Sequence, residues 1–194
     1  MTLVTRLSVG LFVGGRGLRM GGVPKGMLKL RSGQTLIERL LGEVSRAYPR
    51  AQVYLVGAAT EYQHLGLRAL TDDPPGIGPL GGLRALLREA ETAGATHVLA
   101  LACDLPYVAS PLLARLAEEA PAALALAAKQ DGYWQPLCAR YSVALEAAAD
   151  ELVRQRRHSL QALFEGLGES AVELGMSPSE LTELKDWDRP EDLD

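Results

Sequence analysis

The sequence predicts an α/β fold, a three-layer sandwich in which helices cover both faces of a mostly parallel central sheet. Apolar runs of strand length alternate with helix-period patterns through the first 128 residues, the order that builds a parallel sheet with helical crossovers. Those runs are continuously apolar rather than alternating, as strands buried on both faces are. The size agrees: 194 residues, 47% hydrophobic and 23% charged, lie in the ordinary globular range and predict one domain over residues 1–194. A chain of this length buries roughly 70% of its unfolded surface, enough for a core without staples.

Residues 7–13 predict the first strand, which runs straight into a loop with six glycines between Gly14 and Gly26. Thr35 is the N-cap of a predicted helix, with Leu36, Ile37, Leu40, Leu41 and Val44 at helical spacing. A second strand over 53–56, a brief helix over 61–65 and a third strand over 67–70 lead to Thr71-Asp72-Asp73. Pro74-Pro75-Gly76-Ile77-Gly78-Pro79 is turn chemistry opening a helix over 80–93. The wholly apolar run 97–102 predicts a fourth strand and ends at Cys103-Asp104-Leu105-Pro106. A helix over 110–119, a strand over 122–128, a strand near 136–141, a helix over 143–154 and a shorter one from Ser159 complete the prediction.

The net charge of −4 argues against a nucleic-acid or membrane-surface binder, whose footprint is basic. Any anionic ligand must be held by a local cluster of positive groups. Cys103 and Cys138 lie in apolar stretches and read as buried free thiols in a reducing compartment. No apolar run reaches membrane-spanning length, so the expected location is the cytoplasm. The chain contains no asparagine and only four lysines, a composition suggestive of a hot habitat. A site that would ordinarily use asparagine must use another residue here.

In an open α/β sheet, ligands bind beyond the carboxyl ends of the strands. Three loops lie there: 14–26, 72–82 and 103–107. The first is not a dinucleotide fingerprint, since Met20 stands at the third-glycine position, nor a P-loop, since Lys25 is followed by Gly26. It remains a glycine-dense loop with Arg16, Arg19 and Lys25, able to hold a phosphate through backbone N–H groups and cations; the plainer reading is an ordinary loop with solvated, exposed charges. Asp104 at the strand edge is placed to hold Mg²⁺, which favours one or two carboxylates plus phosphate oxygens. It lies too far upstream to cap the helix at Ser110. Asp72 and Asp73 contact a base or ribose, or else serve the following turn. His64, His97 and His158 lack metal-ligand spacing and read as structural or surface residues.

With these loops placed, the chain resembles the molybdenum cofactor guanylyltransferases, a family of Rossmann-like, nucleotide-diphospho-sugar transferase-like nucleotidyltransferases. The resemblance rests on five motifs in order: Phe12-Val13-Gly14-Gly15 through Arg19-Met20-Gly21 to Lys25, then Gly78-Pro79-Leu80-Gly81-Gly82, Cys103-Asp104-Leu105-Pro106-Tyr107, Gln135-Pro136-Leu137, and Pro190-Glu191-Asp192-Leu193. The chain departs from the family at Phe12 and Val13, conservatively, at Gly57, where a polar residue is common, and at Asp186-Trp187-Asp188, which replaces Asn-x-Asn.

The resemblance implies transfer of GMP from GTP to the terminal phosphate of molybdopterin, with release of pyrophosphate. It implies Arg19, Lys25 and Asp104 as catalytic residues, and Mg²⁺ on Asp104. Phe12, Val13, Gly14, Gly15, Lys25, Gly57, Asp72 and Asp104 would bind nucleotide; Gln135, Asp186 and Asp188 would bind the acceptor. GTP and molybdopterin or molybdenum cofactor would be the substrates, and cofactor-delivery proteins the partners of a monomeric enzyme, with no role for nucleic acid or membrane. The nucleophile is already an anionic phosphate, so no general base is needed. Rival readings are a molybdopterin cytidylyltransferase, to which the Asp186-x-Asp188 tail points, another nucleotidyltransferase of the same fold, and a non-catalytic nucleotide-binding domain. The last should lack either Asp104 or Lys25, and both are present.

Overall fold

A computed structural model describes residues 6–14, 23–57 and 60–187. Its strands are β1 (Leu7–Phe12), β2 (Gln52–Val56), β3 (Arg68–Leu70), β4 (His97–Ala102), β5 (Ala125–Gln130), β6 (Tyr133–Ser142) and β7 (Ala171–Glu173). They form one sheet in the order β3-β2-β1-β4-β6-β5-β7. β1 pairs in parallel with β2 and β4, β2 with β3, and β5 with β7; β6 runs antiparallel to both its neighbours. The predicted mostly parallel α/β sheet is therefore present, with one reversed strand.

The helices are α1 (Leu36–Ala47), α2 (Pro79–Thr92), α3 (Ser110–Glu118), α4 (Glu146–Arg154), α5 (Leu160–Leu167) and α6 (Pro178–Leu181). Ile37, Leu40 and Val44 of α1 and Leu112, Leu113 and Leu116 of α3 share a core with Val9, Leu11 and Val13 on one sheet face. On the other face, Leu83, Leu86, Leu87 and Ala90 of α2 and residues of α4 and α5 pack on Phe12, Val56 and Ala100. Each fully buried leucine contributes about 1.5–3 kcal/mol. Gly10 lets α2 approach β1: a Cβ there would sit 2.4 Å from Leu86 Cδ2.

Thr35 caps α1 as predicted, in a box where Glu38 N donates to Thr35 Oγ1 and Thr35 N donates to Glu38 Oε2. The motif that opens α2 divides its labour. Gly78 takes φ +79 as the cap residue and Pro79 occupies the first turn, where its missing N–H costs nothing. Gly81 and Gly82 give close approach, since a Cβ on Gly82 would sit 2.6 Å from Val56 Cγ1.

The second half differs more from expectation. β5 begins at Ala125 rather than Ala122, because Ala120 takes φ +44 and Ala123 N donates to Ala120 O in a turn. β6 is longer than predicted and joins β5 through Asp131 (φ +51) and Gly132 (φ +82), an Asp-Gly hairpin signal overlooked in the sequence. The predicted helix over 143–154 opens as a 3₁₀ turn, Val143–Leu145. β7 and α6 were not anticipated. β6 also carries Arg140, 1% exposed, whose Nη1 and Nη2 donate to the carbonyls of Leu116, Ala117, Glu119 and Ala120. It satisfies the carbonyls left unpaired at the end of α3.

Candidate active site

The sheet delivers its loops to one edge. Phe12 O accepts from Cys103 N at 3.1 Å, and Val13 N donates to Val56 O at 3.0 Å. These bonds fix the ends of β1, β2 and β4 side by side. They also commit two of the Phe12 and Val13 backbone groups to the sheet. Gly14 follows, exposed, and a Cβ there would meet open space. Gly57 at the end of β2 has φ +109, and a Cβ on it would sit 3.1 Å from Gly14 N. The glycine at this position thus lets the two loops close together, where a polar side chain would have to displace backbone. Gly57 N is engaged with Leu70 O at 2.8 Å.

Lys25 begins a 3₁₀ turn, Lys25–Met27. Gly26 allows that turn to sit against the end of β4: a Cβ there would lie 3.0 Å from Tyr62 Oη and 3.2 Å from Cys103 Cβ. The consequence is the central contact of the site. Lys25 Nζ donates to Asp104 Oδ2 at 2.8 Å, across 79 residues of sequence. The side chains are 22% and 14% exposed, so Lys25 is a half-buried partner of Asp104 rather than the exposed loop cation expected from sequence. Cys103 beside them is buried, free and pushed up to about 12 by that burial, so its thiol stays neutral. Cys138 is likewise buried and free.

Asp72 follows β3, half-buried, with its Cβ 3.1 Å from where a Cβ on Gly81 would lie. The first turn of α2 thus holds it beside the Gly57 loop. Asp73 has a structural part: it pairs with Arg88 at 2.6 Å and Arg84 at 3.3 Å, while Arg84 Nη1 donates to the Asp73 carbonyl at 2.9 Å. The same arginines pair with Asp150 and Glu146 of α4, so this loop is tied to two helices. The arrangement has no sequence signature, because its paired residues lie 11 to 66 residues apart.

On the other side of Asp104 lies a cavity of about 670 Å³. Asp104, Tyr133, Gln135, Leu137, Lys185 and Asp186 are among its lining residues, so Gln135 and Asp186 share this cavity with Asp104. The C-terminal segment returns to the site through Trp187, a residue the sequence reading passed over. Trp187 N donates to Asp104 O at 3.0 Å and its indole N–H donates to Tyr107 Oη at 3.3 Å. Its ring is buried with Leu28 and Leu36. The expected roles of Gly15, Arg19 and Asp188 lie outside the described residues.

Among the described residues no three His, Cys, Asp or Glu side chains cluster as a metal cage. The single hard carboxylate of Asp104 is nonetheless of the donor type that Mg²⁺ takes, alongside water and substrate oxygens. His64 is exposed, and His97 and His158 are half-buried. No helix among these residues is long and apolar enough to cross a membrane.

Fold and site together define a nucleotidyltransferase-like protein: a mostly parallel sheet whose carboxyl edge brings Gly14, Gly57, Lys25 and the Asp104 carboxylate together beside a cavity. The chain belongs to the MobA-like NTP transferase domain family, which matches residues 10–171, and within it to the molybdenum cofactor guanylyltransferases. Proteins of that name from Pseudomonas fluorescens SBW25 and Ectopseudomonas mendocina are each 34% identical to it. The aligned regions cover 91% of this chain in both cases, and 88% and 86% of the relatives. Its fold is also that of molybdopterin-guanine dinucleotide biosynthesis protein A from Archaeoglobus fulgidus, with a TM-score of 0.74 and 24% identity over 96% of this chain and 94% of that one.

Proposed function

We propose that the protein is an enzyme that transfers GMP from GTP to the terminal phosphate of molybdopterin or its molybdenum-loaded form, releasing pyrophosphate. The observation that carries this reading is the Lys25–Asp104 contact at the junction of two regions. Gly14, Gly57 and Asp72 lie on one side, and the cavity with Gln135 and Asp186 on the other. A nucleotide on the first side and an acceptor in the cavity would meet at Asp104.

The chemistry is in-line displacement at the α-phosphorus, which needs positioning and charge neutralisation more than covalent help. Lys25 holds the triphosphate and the leaving pyrophosphate, with the glycine-loop amides and Arg19. Asp104 is the residue to hold Mg²⁺, which when bound supplies positive charge against the phosphate oxygens. Trp187 fixes Asp104 from the C-terminal side through the backbone bond. The acceptor phosphate is itself the nucleophile, so no side chain need take its proton. The enzyme works as a soluble cytoplasmic protein and receives its acceptor from delivery proteins.

GTP is favoured over CTP by the Gly14-Gly15 and Gln135-Pro136 patterns, and Asp72 is available to accept from guanine's N–H donors or a ribose hydroxyl. The Asp186-x-Asp188 tail otherwise suggests CTP, but a chain without asparagine has aspartate as its nearest substitute there. A site built around guanine's donors rejects cytosine strongly, because its polar groups are left unpaired. The test is competition of GTP against CTP at equal concentration, with Mg²⁺ and molybdopterin. A guanine dinucleotide product is expected; a product that is mainly the cytosine dinucleotide would overturn the choice of nucleotide.

A further inference from the structure

We propose that Tyr133 is the platform on which the flat ring system of the acceptor stacks, so that it sets acceptor affinity without touching the nucleotide. This rests on the acceptor reading of the cavity. A single exposed aromatic is ordinary on a protein surface; three further observations distinguish this one.

Tyr133 is 68% exposed, the most open large apolar side chain among the described residues. Yet it is held on a rigid support. The two-residue turn Asp131-Gly132 closes the hairpin, with Gln130 paired to Tyr133. The next residue is tied at both its backbone groups: Trp134 N donates to Gln161 Oε1 at 3.2 Å, while Gln161 Nε2 donates to Trp134 O at 2.7 Å. The Trp134 ring stacks on Phe164 at 4.6 Å and carries Lys129 Nζ 4.2 Å above it. The phenol is thus exposed while its backbone is fixed, which lowers the entropy lost when a ligand stacks on it.

Position gives the second and third observations. Tyr133, Gln135 and Leu137 all belong to β6, and all three line the cavity that Asp104 also lines. That lining offers an aromatic ring at Tyr133, a polar side chain at Gln135 and a carboxylate at Asp104. A pterin ring carrying a short phosphorylated arm has groups for each: a flat ring for Tyr133, polar ring edges for Gln135, and a phosphate to meet the metal that Asp104 would hold. Gln130, paired with Tyr133 across the hairpin, and Asp131 line the same cavity, with an amide and a carboxylate suited to a heterocycle edge bearing N–H donors.

The experiment compares Tyr133→Ala, Tyr133→Leu and Tyr133→Phe with the parent enzyme. Stacking on an aromatic side chain is worth a factor of about 10 to 100 in affinity. The Ala and Leu variants should therefore raise the KM for molybdopterin by about that factor, with the KM for GTP and the melting temperature unchanged. The Phe variant should behave as the parent. A second readout is quenching of the fluorescence of 6-hydroxymethylpterin, whose binding should weaken in the Ala and Leu variants alone. An unchanged acceptor KM in both variants, or losses in Phe equal to those in Ala, would overturn the platform while leaving the transferase reading intact. A parent enzyme that releases no pyrophosphate on addition of molybdopterin would bring down both.

Discussion

Replacing Lys25 by alanine separates catalysis from stability. The lysine sits 2.8 Å from Asp104 with 22% of its side chain exposed, against 14% for the aspartate. Exposed ion pairs contribute roughly 0–1 kcal/mol, whereas breaking a fully buried pair costs about 3–5 kcal/mol. A pair of intermediate exposure should therefore lose about 1–2 kcal/mol on truncation, mostly from leaving the Asp104 carboxylate short of its counter-charge. For a chain of this length each kcal/mol lowers the melting temperature by roughly 2–4 °C. Turnover should fall further, by about 100-fold or more, corresponding to about 2.7 kcal/mol of transition-state stabilisation. The measurements are pyrophosphate release at saturating GTP, Mg²⁺ and acceptor, and thermal melting of the same preparation. Near-normal turnover would remove Lys25 from phosphate neutralisation. A melting temperature equal to the parent's would show that the pair contributes nothing to the folded state.

Asp104→Asn should keep the shape of the site but lose most Mg²⁺ affinity, because a neutral amide is a poor ligand for a hard cation; a Mg²⁺ titration of activity identical to the parent's would place the metal elsewhere. Gly10→Ala should destabilise by about 1–3 kcal/mol through overpacking, since the new methyl would meet Leu86 Cδ2 at 2.4 Å; chemical denaturation reads it, and an unchanged midpoint would mean that α2 shifts freely. The thiols of Cys103 and Cys138 are both raised from 9.0 to about 12 by burial. Their contribution to stability is present below about pH 9 and lost as the pH climbs toward about 12, so the melting temperature should decline across that window, and a Cys103→Ala, Cys138→Ala double variant should flatten the decline. The native protein should also resist thiol-directed reagents at pH 8, and rapid labelling of both cysteines there would contradict their burial.

Local chemistry in the sequence determined the first half of the fold. Continuous apolar runs placed β1, β2 and β4, Thr35 marked the start of α1, and Gly78-Pro79 that of α2, because each of these signals acts within a few residues. Lys25 and Asp104 stood out for the same reason: each lies in a charged or glycine-rich turn just past the carboxyl end of a predicted strand. Local signals served the second half less well. The Ala/Leu run before β5 has no sharp boundary, β7 is three residues long, and the reversal of β6 hangs on one Asp-Gly turn.

Only the tertiary structure decided which groups meet. The Lys25–Asp104 contact spans 79 residues, and the pairing of Trp187 with the Asp104 carbonyl and Tyr107 joins the chain's end to its middle. Asp73 reads like its neighbour Asp72 in sequence, yet two arginines of α2 claim it for structure. Tyr133 drew no notice as one tyrosine among six, and became a candidate only when the hairpin set it beside the cavity that Asp104 lines. A sequence records which side chains are present and the local backbone they favour; their convergence depends on strand order and register, which are fixed by packing across the whole sheet.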